Sequence, residues 1–489
     1  MRKVGVFICH CGINIAGSVD VDKVAEDLKS YPGVAFATTY KYTCSDPGQQ
    51  IIKDAIKEHG LDGVVVAACS PAMHETTFRR TAASAGMNPY LLECANIREQ
   101  CSWVHQSDKA RATDKAFYTI QSMVEKVKRN EALDPLSLPL TKKAMVIGGG
   151  IAGISAALDI ADAGYPVILV EKSDHLGGKM ANLSGTYLNF TGAPDLLHRR
   201  IDRVLNHPKL EVKVKAEVEQ VDGYVGNFKA TVRTDGQTQA FDVGAVVAAT
   251  GYQSYPQSRL PEYGGGTIPD VIDGLTFEAM LAPGAKVQRP SDGKTPREVV
   301  FVQCAGSRDP EHGVPYCSKV CCMYTAKQAH LLRDKIPEAN ITVLYMDVRA
   351  FGKGFEEFYE RVQKEEIIYR RANPSEVFRK NGKLVVRGED TLLGEPFELE
   401  ADLVVLASGL VPRKEDNFLR ELLKLEKASD QFYAEAPGLD PIVTGVEGIF
   451  LAGCCQGPKD IPDTVAQASG AASMACAFVA KGRKAEVKS

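Results

Sequence analysis

Apolar runs and segments of helical periodicity alternate along the first 130 residues of the chain. Strands are predicted at four apolar runs, residues 4–9, 35–42, 63–69 and 89–94. Helices are predicted between and after them, at residues 21–30, 48–59, 74–86 and about 108–128. Strands that alternate with helices are typical of a parallel, doubly wound sheet. We therefore expect residues 1–130 to form an N-terminal α/β domain.

The pattern restarts after a linker predicted at residues 131–141, which contains two prolines. Residues 144–172 predict a strand, a glycine-rich turn, an alanine-rich helix and a second strand that ends at Glu171. The turn carries the G-x-G-x-x-G pattern of a dinucleotide-binding βαβ unit, at Gly148, Gly150 and Gly153. The first glycine permits a tight turn, the second lets a pyrophosphate approach the backbone, and the third allows close packing of helix on strand. The helix N-terminus offers free N–H groups to phosphates, and Glu171 is placed to accept from a ribose hydroxyl.

Later segments favour FAD over NAD for this unit. A β-meander is predicted at about residues 211–241, with Asp-Gly turns at 222–223 and 235–236. The next strand ends in Ala249-Thr250-Gly251, where two-dinucleotide-domain flavoproteins return a strand beside FAD. A helix over 463–472 would aim its N-terminus at the isoalloxazine ring. The positive end of the helix dipole would stabilise negative charge on the reduced flavin. The candidate cofactor-binding residues are Gly148, Gly150, Ile151, Ala152, Gly153, Glu171, Lys172, Gly178, Lys179, Ala249, Thr250, Gly251, Gly453, Asp463, Ala466 and Gln467.

A second Rossmann-like unit is predicted as an insert at residues 289–405. It divides the FAD-binding domain into two parts, 142–288 and 406–489. Its first strand, at 298–303, is where a pyridine-nucleotide domain would carry its own glycine loop, but the sequence continues Cys304-Ala305-Gly306-Ser307. The predicted fold class is an N-terminal doubly wound α/β domain followed by a flavoprotein fold with two dinucleotide-binding domains.

Composition and charge narrow the function classes. The 489 residues carry a net charge of −4, which suggests no nucleic-acid partner. No charged segment followed by an apolar core opens the chain, and no run reaches the ~18–20 apolar residues of a membrane span. We expect a cytoplasmic protein without a direct membrane span. Thirteen cysteines are many for a reducing compartment, which favours metal ligands or redox groups over structural disulfides.

The N-terminal cysteines follow the predicted strands. Because the carboxyl ends of parallel strands share one edge, thiolates from several strands could hold an iron–sulfur cluster there. The candidate ligands are Cys9, Cys11, Cys44, Cys69 and Cys101. The alternative is that a cysteine at a strand end is a small buried apolar residue, and we expect this for Cys94.

A second cysteine group follows the strand at 298–303. Its C-x12-C-x3-C-C pattern consists of Cys304, Cys317, Cys321 and Cys322. Four cysteines within nineteen residues, beside an expected flavin, suit one [4Fe–4S] cluster. Zinc is one alternative, since four-cysteine sites bind it, although a redox-inert ion would conduct no electrons. A disulfide is another, but the adjacent pair would form a strained bridge and no C-x-x-C spacing is present.

Several motifs resemble the A-type subunits of heterodisulfide reductase over nearly the whole chain. They are Cys9-His10-Cys11-Gly12, Ala68-Cys69-Ser70-Pro71, Asn96-Ile97-Arg98-Glu99, Cys101-Ser102-Trp103-Val104-His105, Cys321-Cys322-Met323-Tyr324-Thr325-Ala326-Lys327, Gly352-Lys353-Gly354 and Pro458-Lys459-Asp460-Ile461-Pro462-Asp463. The resemblance implies a thioredoxin-reductase-like fold with FAD and two [4Fe–4S] clusters. One cluster would be held by the C-x12-C-x3-C-C cysteines and the other by cysteines of the N-terminal domain. Lys327 resembles the family lysine near the reactive edge of the flavin and is the candidate catalytic residue; its alternative is a solvated helix face.

The function implied by the resemblance is that of one oxidoreductase component of a complex. It would pass electrons between an electron-donor module and iron–sulfur partner subunits of the B and C type, as a homo-oligomer within a larger complex. In some complexes of the family the flavin bifurcates electrons. Fuller members carry ferredoxin modules with C-x2-C-x2-C-x3-C runs, and this sequence has none. Two alternatives stay open: a stand-alone pyridine-nucleotide-dependent disulfide reductase, and a zinc-stapled flavin-binding scaffold.

Overall fold

Two parts of the chain each build their own hydrophobic core. In the computed structural model, which describes residues 2–133, 139–438 and 440–480, the chain divides into unit 1 (Met1–Ser137) and unit 2 (Leu138–Ser489). The predicted linker at 131–141 spans this division, and its residues 134–138 lie outside the described ranges.

Unit 1 is a parallel sheet flanked by helices. Its strands are β1 (Val4–Cys9), β2 (Val34–Tyr40), β3 (Gly63–Ala68) and β4 (Leu92–Asn96). Its helices are α1 (Val21–Lys29), α2 (Asp46–Glu58), α3 (Pro71–Ser84) and α4 (Lys109–Arg129), with a short 3₁₀ turn (Pro89–Leu91) and one π-helical turn (Arg98–Ser102). The strand order is β2-β1-β3-β4, and every pairing is parallel. The two central strands are buried along their whole length, as expected for a parallel sheet covered on both faces.

The helix starts of unit 1 follow from short polar side chains. Asp20, Ser45 and Asp108 each accept a hydrogen bond from a backbone N–H in the first turn of the following helix. The fourth strand begins later than predicted, at Leu92, because Pro89 opens a 3₁₀ turn that Asn88 caps. The predicted order of strands and helices in this unit is confirmed.

Unit 2 is larger and mixed. Its strands are β5 (Ala144–Ile147), β6 (Val167–Val170), β7 (Leu210–Lys213), β8 (Ala216–Tyr224), β9 (Asn227–Thr234), β10 (Gln237–Val243), β11 (Ala245–Ala248), β12 (Gln253–Ser254), β13 (Val271–Asp273), β14 (Glu298–Ala305), β15 (Asn340–Tyr345), β16 (Ile368–Lys380), β17 (Lys383–Asp390), β18 (Glu395–Ala401), β19 (Leu403–Ser408), β20 (Leu410–Val411) and β21 (Ile449–Leu451). Its α-helices are α5 (Ile151–Asp162), α6 (Ala193–Asn206), α7 (Gly274–Leu281), α8 (Cys321–Lys335), α9 (Phe355–Gln363), α10 (Asp416–Leu422) and α11 (Ile461–Ala480). Short 3₁₀ turns cover Gly178–Asn182, Gln257–Arg259, Pro261–Tyr263 and Gly453–Cys455.

The first sheet of unit 2 contains the glycine-rich turn. Its five parallel strands have the order β21-β11-β5-β6-β7, so strands from both predicted parts of the FAD-binding domain pair in one sheet. Helix α5 follows β5 directly after the turn, and α11 packs beside it. The predicted βαβ unit is therefore present, with the alanine-rich helix as its crossover.

The predicted meander is also present, with one turn displaced. Strands β8, β9 and β10 form an antiparallel sheet in the order β10-β9-β8. The second Asp-Gly pair forms a turn as predicted, since β9 ends at Thr234 and β10 begins at Gln237. The first pair does not: Gly223 lies inside β8, and the turn falls on Val225-Gly226 because Tyr224 pairs with Asn227.

The second sheet of unit 2 has seven strands in the order β13-β19-β14-β15-β16-β17-β18. Its strands are parallel from β13 to β16, after which β17 and β18 add antiparallel hairpins. Strand β13 begins at Val271, ahead of the boundary predicted at residue 289, because it pairs with β19 at the end of the insert. The carboxyl end of the central strand β14 is where the C-x12-C-x3-C-C cysteines begin.

Candidate functional site

A cavity of about 1600 Å³ lies in unit 2, along the carboxyl edge of the first sheet. Small-molecule pockets usually measure ~300–1,000 Å³, so the size suits a dinucleotide. The predicted cofactor-binding residues that line it are Gly148, Gly150, Ile151, Ala152, Glu171, Lys172, Gly178, Lys179, Ala249, Thr250 and Gly251. The glycine loop, the acid that follows it, the second glycine pair and the returning strand therefore meet at one site.

Glycine is required at the three positions of the turn for three different structural reasons. Gly148 has a φ of +112°, and a Cβ there would lie 2.3 Å from the carbonyl oxygen of Ala249. A Cβ on Gly153 would lie 1.7 Å from the carbonyl oxygen of Gly148, so only glycine lets α5 approach the turn. Gly150 is different: it is extended, and the nearest atom to a Cβ there is the Cα of Gly178, 4.0 Å away.

Gly150 and Gly178 thus face each other across a cradle made of backbone. The Gly177 N–H donates to the carbonyl oxygen of Gly149 at 2.8 Å, which ties the two glycine loops together. A side chain on Gly150 would fill the cradle without disturbing the fold. The residues present therefore fit a pyrophosphate held by backbone N–H groups at the start of α5.

Glu171 lies at the cavity wall at the end of β6. Its carboxylate accepts from the N–H of Gly149 at 2.5 Å, and from the N–H and hydroxyl of Ser173 at 2.7 Å each. These bonds orient the carboxylate beside the glycine turn, where it can accept from a ribose hydroxyl. The neighbouring Lys172 forms an ion pair with Glu217 at 2.9 Å, and both side chains line the cavity.

Other predicted cofactor-binding residues do not line the cavity. They are Gly153, Gly453, Asp463, Ala466 and Gln467. Gln467 accepts from the N–H of Gly453 at 2.7 Å and so holds the turn after β21. The cavity instead meets the first turn of α11 at Ile461, Pro462, Thr464 and Val465, and this helix begins two residues before the predicted start.

Lys327 is buried at the cavity and pairs with a carboxylate. Its side chain is 2% exposed, which excludes the solvated helix face. Its ammonium group donates to a carboxylate oxygen of Glu278 and, at 2.9 Å, to the carbonyl oxygen of Gly185. Burial lowers the pKa of Lys327, and the adjacent carboxylate opposes that shift. The cavity therefore has a buried ion pair in its wall.

Glu278, the partner of this lysine, is a site residue that sequence reasoning missed. Burial opposes its ionisation, but the charge of Lys327 and the hydrogen bonds around it outweigh burial and lower the pKa of Glu278. The donors are the N–H and hydroxyl of Ser184, at 2.9 and 2.6 Å, and the amide of Gln328, at 2.8 Å. The spacing of Tyr324, Lys327 and Gln328 along α8 is a signal that could have indicated that all three line the cavity.

Three of the four insert cysteines are brought together. The Cys321 thiol lies within hydrogen-bond reach of both Cys304 and Cys322, and its hydrogen bond lowers the pKa of Cys304 to about 7. The fourth, Cys317, is half-buried and accepts from the N–H of Lys319 at 3.3 Å, outside the hydrogen bonds that join the other three. All thirteen cysteines are free thiols.

The loop between Cys304 and Cys321 replaces a dinucleotide turn. Cys304, Arg308 and Lys319 all have a positive φ, which is uncommon for residues other than glycine and marks a constrained loop. The hydroxyls of Ser307 and Ser318 are 3.1 Å apart, and Ser318 also accepts from the N–H of Leu410 at 2.8 Å. The loop therefore folds back over the end of β14, where a nicotinamide domain would have its phosphate cradle.

Helix α8 joins the cysteines to the cavity. It begins with Cys321-Cys322, and its next turns carry Tyr324 and Lys327 on the cavity wall. At a rise of 1.5 Å per residue, Cys321 is about 4.5 Å along the axis from Tyr324. None of the four insert cysteines lines the cavity itself, but Cys321 follows Val320, which does, and lies one helical turn from Tyr324.

In unit 1 the carboxyl edge of the sheet gathers Cys9, Cys11, Cys44 and Cys69. The sulfur of Cys9 accepts from the N–H of Cys11 at 3.3 Å and from the N–H of Thr43 at 3.4 Å. Burial first, and then the nearby Cys9 and Cys11, raise the pKa of Cys44. Burial is likewise the main cause of the raised pKa of Cys69, on which Cys11 also acts.

Backbone N–H groups aimed at a sulfur are typical of thiolate ligands in iron–sulfur proteins. Two buried polar atoms beside these cysteines, Nε2 of His10 and Oγ1 of Thr43, have no hydrogen-bond partner among the described residues. The chemistry of the donor set therefore fits a metal cluster at this edge. Within residues 2–133, 139–438 and 440–480, no group of metal-ligating side chains has the spacing that holds a single metal ion.

Cys101 stands apart from this group, whereas Cys94 lies near Cys69. Cys101 is buried, its thiol donates to the carbonyl oxygen of Ala112 at 3.2 Å, and Lys115 is the charged group that acts on it. Cys94 is half-buried, and burial raises its pKa to about 12; its role as a small buried apolar residue stays a prediction. The structure therefore does not bring Cys101 to the other candidate ligands.

A family of known proteins matches the first part of unit 2. The family description "Pyridine nucleotide-disulphide oxidoreductase" matches residues 142–302 and ends just before Cys304. With the cavity and the two sheets, this match defines the chain as a flavoprotein oxidoreductase with two dinucleotide-binding domains. The predicted fold class is confirmed.

Curated relatives identify the chain more closely. The second iron–sulfur A subunit of CoB–CoM heterodisulfide reductase from Methanopyrus kandleri is 43% identical, over 99% of this chain and 86% of the relative. The A subunit of the H2:CoB-CoM heterodisulfide, ferredoxin reductase from Methanothermobacter marburgensis is 42% identical, over 98% of this chain and 85% of the relative. The chain belongs to the family of heterodisulfide reductase A subunits, which confirms the predicted resemblance and the oxidoreductase class. The first alignment covers 567 positions, so the relative contains segments that this chain of 489 residues does not have.

Solved structures similar to the chain include two thioredoxin reductases. The enzyme from T. acidophilum is 19% identical, with a TM-score of 0.47, over 69% of this chain and 99% of that chain. The enzyme from Lactococcus lactis is 18% identical, with a TM-score of 0.48, over 70% of this chain and 100% of that chain. Within the part of the chain that the structure describes, no helix is both long and apolar enough to cross a bilayer.

Proposed function

We propose that this chain is an FAD- and iron–sulfur-containing electron-transfer subunit of a heterodisulfide-reductase-like complex. The observation that carries the proposal is the arrangement of α8, which starts in the insert cysteines and continues along the wall of the cavity. A flavin in that cavity would lie next to a metal centre held by those cysteines. Its partners would be iron–sulfur subunits of the B and C type and an electron-donor module; the names of the relatives, which are components of multi-subunit reductases, support a complex of this kind.

The cofactors would be held by the residues already described. The cradle between Gly150 and Gly178, together with Glu171, fits the pyrophosphate and a ribose of FAD. Cys304, Cys317, Cys321 and Cys322 would hold one [4Fe–4S] cluster. When bound, FAD supplies exchange of one or two electrons, and the clusters supply single-electron carriers.

Two features of the protein at the cavity favour negative charge on a bound flavin. Lys327 is held by Glu278 and Gly185, so it presents a cation at one place without reorganisation. The first turn of α11 also lies at the cavity wall, and the positive end of its helix dipole favours negative charge there. Both features would stabilise an anionic reduced ring, and so we assign Lys327 the role of a catalytic residue in this proposal.

In unit 1, a second cluster would be held by Cys9, Cys11, Cys44 and Cys69. The support is the convergence of these four thiols at one sheet edge and the backbone N–H groups that point at Cys9. Cys101 is left out of this ligand set because its thiol is committed to Ala112.

The test is anaerobic purification with quantitation of flavin, iron and sulfide, followed by reduction and electron paramagnetic resonance. We expect FAD, iron and acid-labile sulfide together, and a paramagnetic signal on reduction. Zinc without iron would contradict the proposal and favour a zinc-stapled scaffold. Rapid bleaching of the flavin by NADH without any partner protein would instead favour a stand-alone pyridine-nucleotide-dependent disulfide reductase.

A further inference from the structure

An arginine lies directly against the cysteines of unit 1. The Nη1 of Arg98 donates to the sulfur of Cys11 at 3.2 Å. Its Nε and Nη2 donate to one carboxylate oxygen of Glu99, at 3.2 and 2.7 Å. The guanidinium carbon lies 4.8 Å from the centre of the Trp103 ring. Only 15% of the arginine side chain is exposed, so its charge is poorly screened by solvent.

The position of this guanidinium is held from several sides. The second carboxylate oxygen of Glu99 accepts from the N–H of Ser70 at 2.8 Å, just after β3. The N–H of Glu99 donates to the side chain of Asn96 at 3.0 Å, at the end of β4. Arg98 and Glu99 also open the π-helical turn of unit 1, a rare conformation that often marks functional positions. The arginine is thus anchored by the two strands that end beside it.

We propose that Arg98 is a positioning residue that raises the reduction potential of the metal centre of unit 1. The inference rests on the proposed function, in which Cys9, Cys11, Cys44 and Cys69 hold an iron–sulfur cluster. Reduction adds one negative charge to such a cluster, and its potential is set by net charge, hydrogen bonds to the sulfurs and solvent exposure. A cation held in place that donates to a ligand sulfur stabilises the more negative, reduced state.

The carboxylate of Glu99 allows the proposal to be tested by the direction in which the reduction potential shifts. Glu99 holds the guanidinium but also offsets its charge, so the two residues act on the potential in opposite directions. If Arg98 and Glu99 only hold the loop in shape, both substitutions should disturb the centre in the same way. A charge effect instead requires a lower potential without the arginine and a higher potential without the carboxylate.

The experiment is a potentiometric titration of the anaerobically purified full chain, followed by electron paramagnetic resonance. The signal of this centre is identified as the one that is missing in Cys9→Ala. Arg98→Met should lower the ratio of reduced to oxidised centre about tenfold at a fixed potential, which is a shift of about −59 mV for one electron. Arg98→Lys should shift it less, and Glu99→Gln should shift it to a higher potential.

Arg79 provides a matched control within the same unit. It also pairs with a glutamate, Glu75, at 2.6 Å and lies over an aromatic ring, that of Tyr90, but it donates to no cysteine sulfur among the described residues. Arg79→Met should leave the potential unchanged. Iron and flavin are quantified for every variant.

The outcomes separate the inference from the proposed function. If the unsubstituted chain contains no iron, the proposed function fails. If iron is retained but the potential is unchanged in Arg98→Met, or moves the same way in Arg98→Met and Glu99→Gln, this inference is wrong. If Arg98→Met loses its iron, the variants Arg98→Lys and Glu99→Gln provide the test, because both keep a hydrogen-bonding side chain. A lower reduction potential in Arg98→Lys together with a higher one in Glu99→Gln supports the inference. Any other pair of results overturns it.

Discussion

Replacing the buried cation at the cavity should destabilise unit 2 far more than replacing an exposed one. In Lys327→Met, the carboxylate of Glu278 would remain buried, since it is 1% exposed, with no opposite charge beside it. Breaking a buried ion pair by removing one partner costs about 3–5 kcal/mol. The hydrogen bonds from Ser184 and Gln328 remain, which places the expected loss towards the lower end of that range, at about 3 kcal/mol.

The partner substitutions give the rest of a double-mutant cycle. Glu278→Gln should cost less, because the amide still accepts from Ser184, and because burial already lowers the pKa of Lys327 and eases loss of its proton. The double variant Lys327→Met/Glu278→Gln should recover part of the loss. We expect a coupling energy of about 2 kcal/mol, within the range of residues that share one network.

The assay is urea unfolding followed by two probes. Far-UV circular dichroism reports both units, whereas the single tryptophan, Trp103, lies in unit 1 and serves as an internal reference that should not shift. Lys383→Met is the control, because its ion pair with Glu400 is exposed, at 64% and 62%, and exposed pairs contribute little to stability. The reasoning is refuted if Lys327→Met lowers the free energy of unfolding by no more than Lys383→Met does.

Three further predictions concern the cofactors and acid stability. Gly150→Val should abolish retention of FAD while the chain stays folded, since the side chain enters the open cradle. Gly153→Ala should instead impair folding, because its Cβ would lie 1.7 Å from a carbonyl oxygen. Flavin content and circular dichroism distinguish the two results. Cys321→Ala should remove about four irons per chain with FAD retained, and Cys476→Ala should remove none; unchanged iron in the first would contradict the insert ligand set. Folding lowers the pKa of Glu278, so this carboxylate stabilises the fold fully above its ordinary pKa of 4.5. That stabilisation is lost as the pH falls through the pKa of the folded state. In a pH series of urea unfolding midpoints, Glu278→Gln should lack this part of the pH dependence.

Features that depend on local pattern are predictable from the sequence. The glycine turn, the acid at Glu171 and the returning Ala249-Thr250-Gly251 are close in sequence to the elements that place them, and the structure brings them to one cavity. The turn at Asn381-Gly382 between β16 and β17 is predictable for the same reason, and both residues have the positive φ that the pair favours. Alternation of strands and helices likewise predicts the sheet of unit 1.

Features that depend on distant contacts are not predictable in this way. Glu278 meets Lys327 from a helix 49 positions away, and nothing in the local sequence marks it as a buried acid. Arg98 meets Cys11 across 87 positions. Cys101 resembles the other thiols because it lies in a cysteine-containing motif after a strand, but it is part of the π-helical turn, and its thiol bonds to α4 instead. Strand β4 starts at Leu92, later than predicted, because Pro89 opens a 3₁₀ turn, and the insert's sheet takes in β13, well ahead of the boundary predicted at residue 289, because that strand pairs with β19.

The loop after β14 links the fold to the proposed chemistry. In a second dinucleotide-binding domain, the carboxyl end of the central strand is where a nucleotide would meet backbone N–H groups. Here that place is taken by the chain itself: a Cβ on Gly409 would lie 2.6 Å from the hydroxyl of Ser307, so the loop is packed tightly against the strand that returns. The same loop delivers Cys321 to the first turn of α8, whose later turns form the wall of the cavity. With a thiol-rich loop in this position, a metal centre would therefore replace a bound nucleotide as the electron donor. The order of the parallel strands would stay the same.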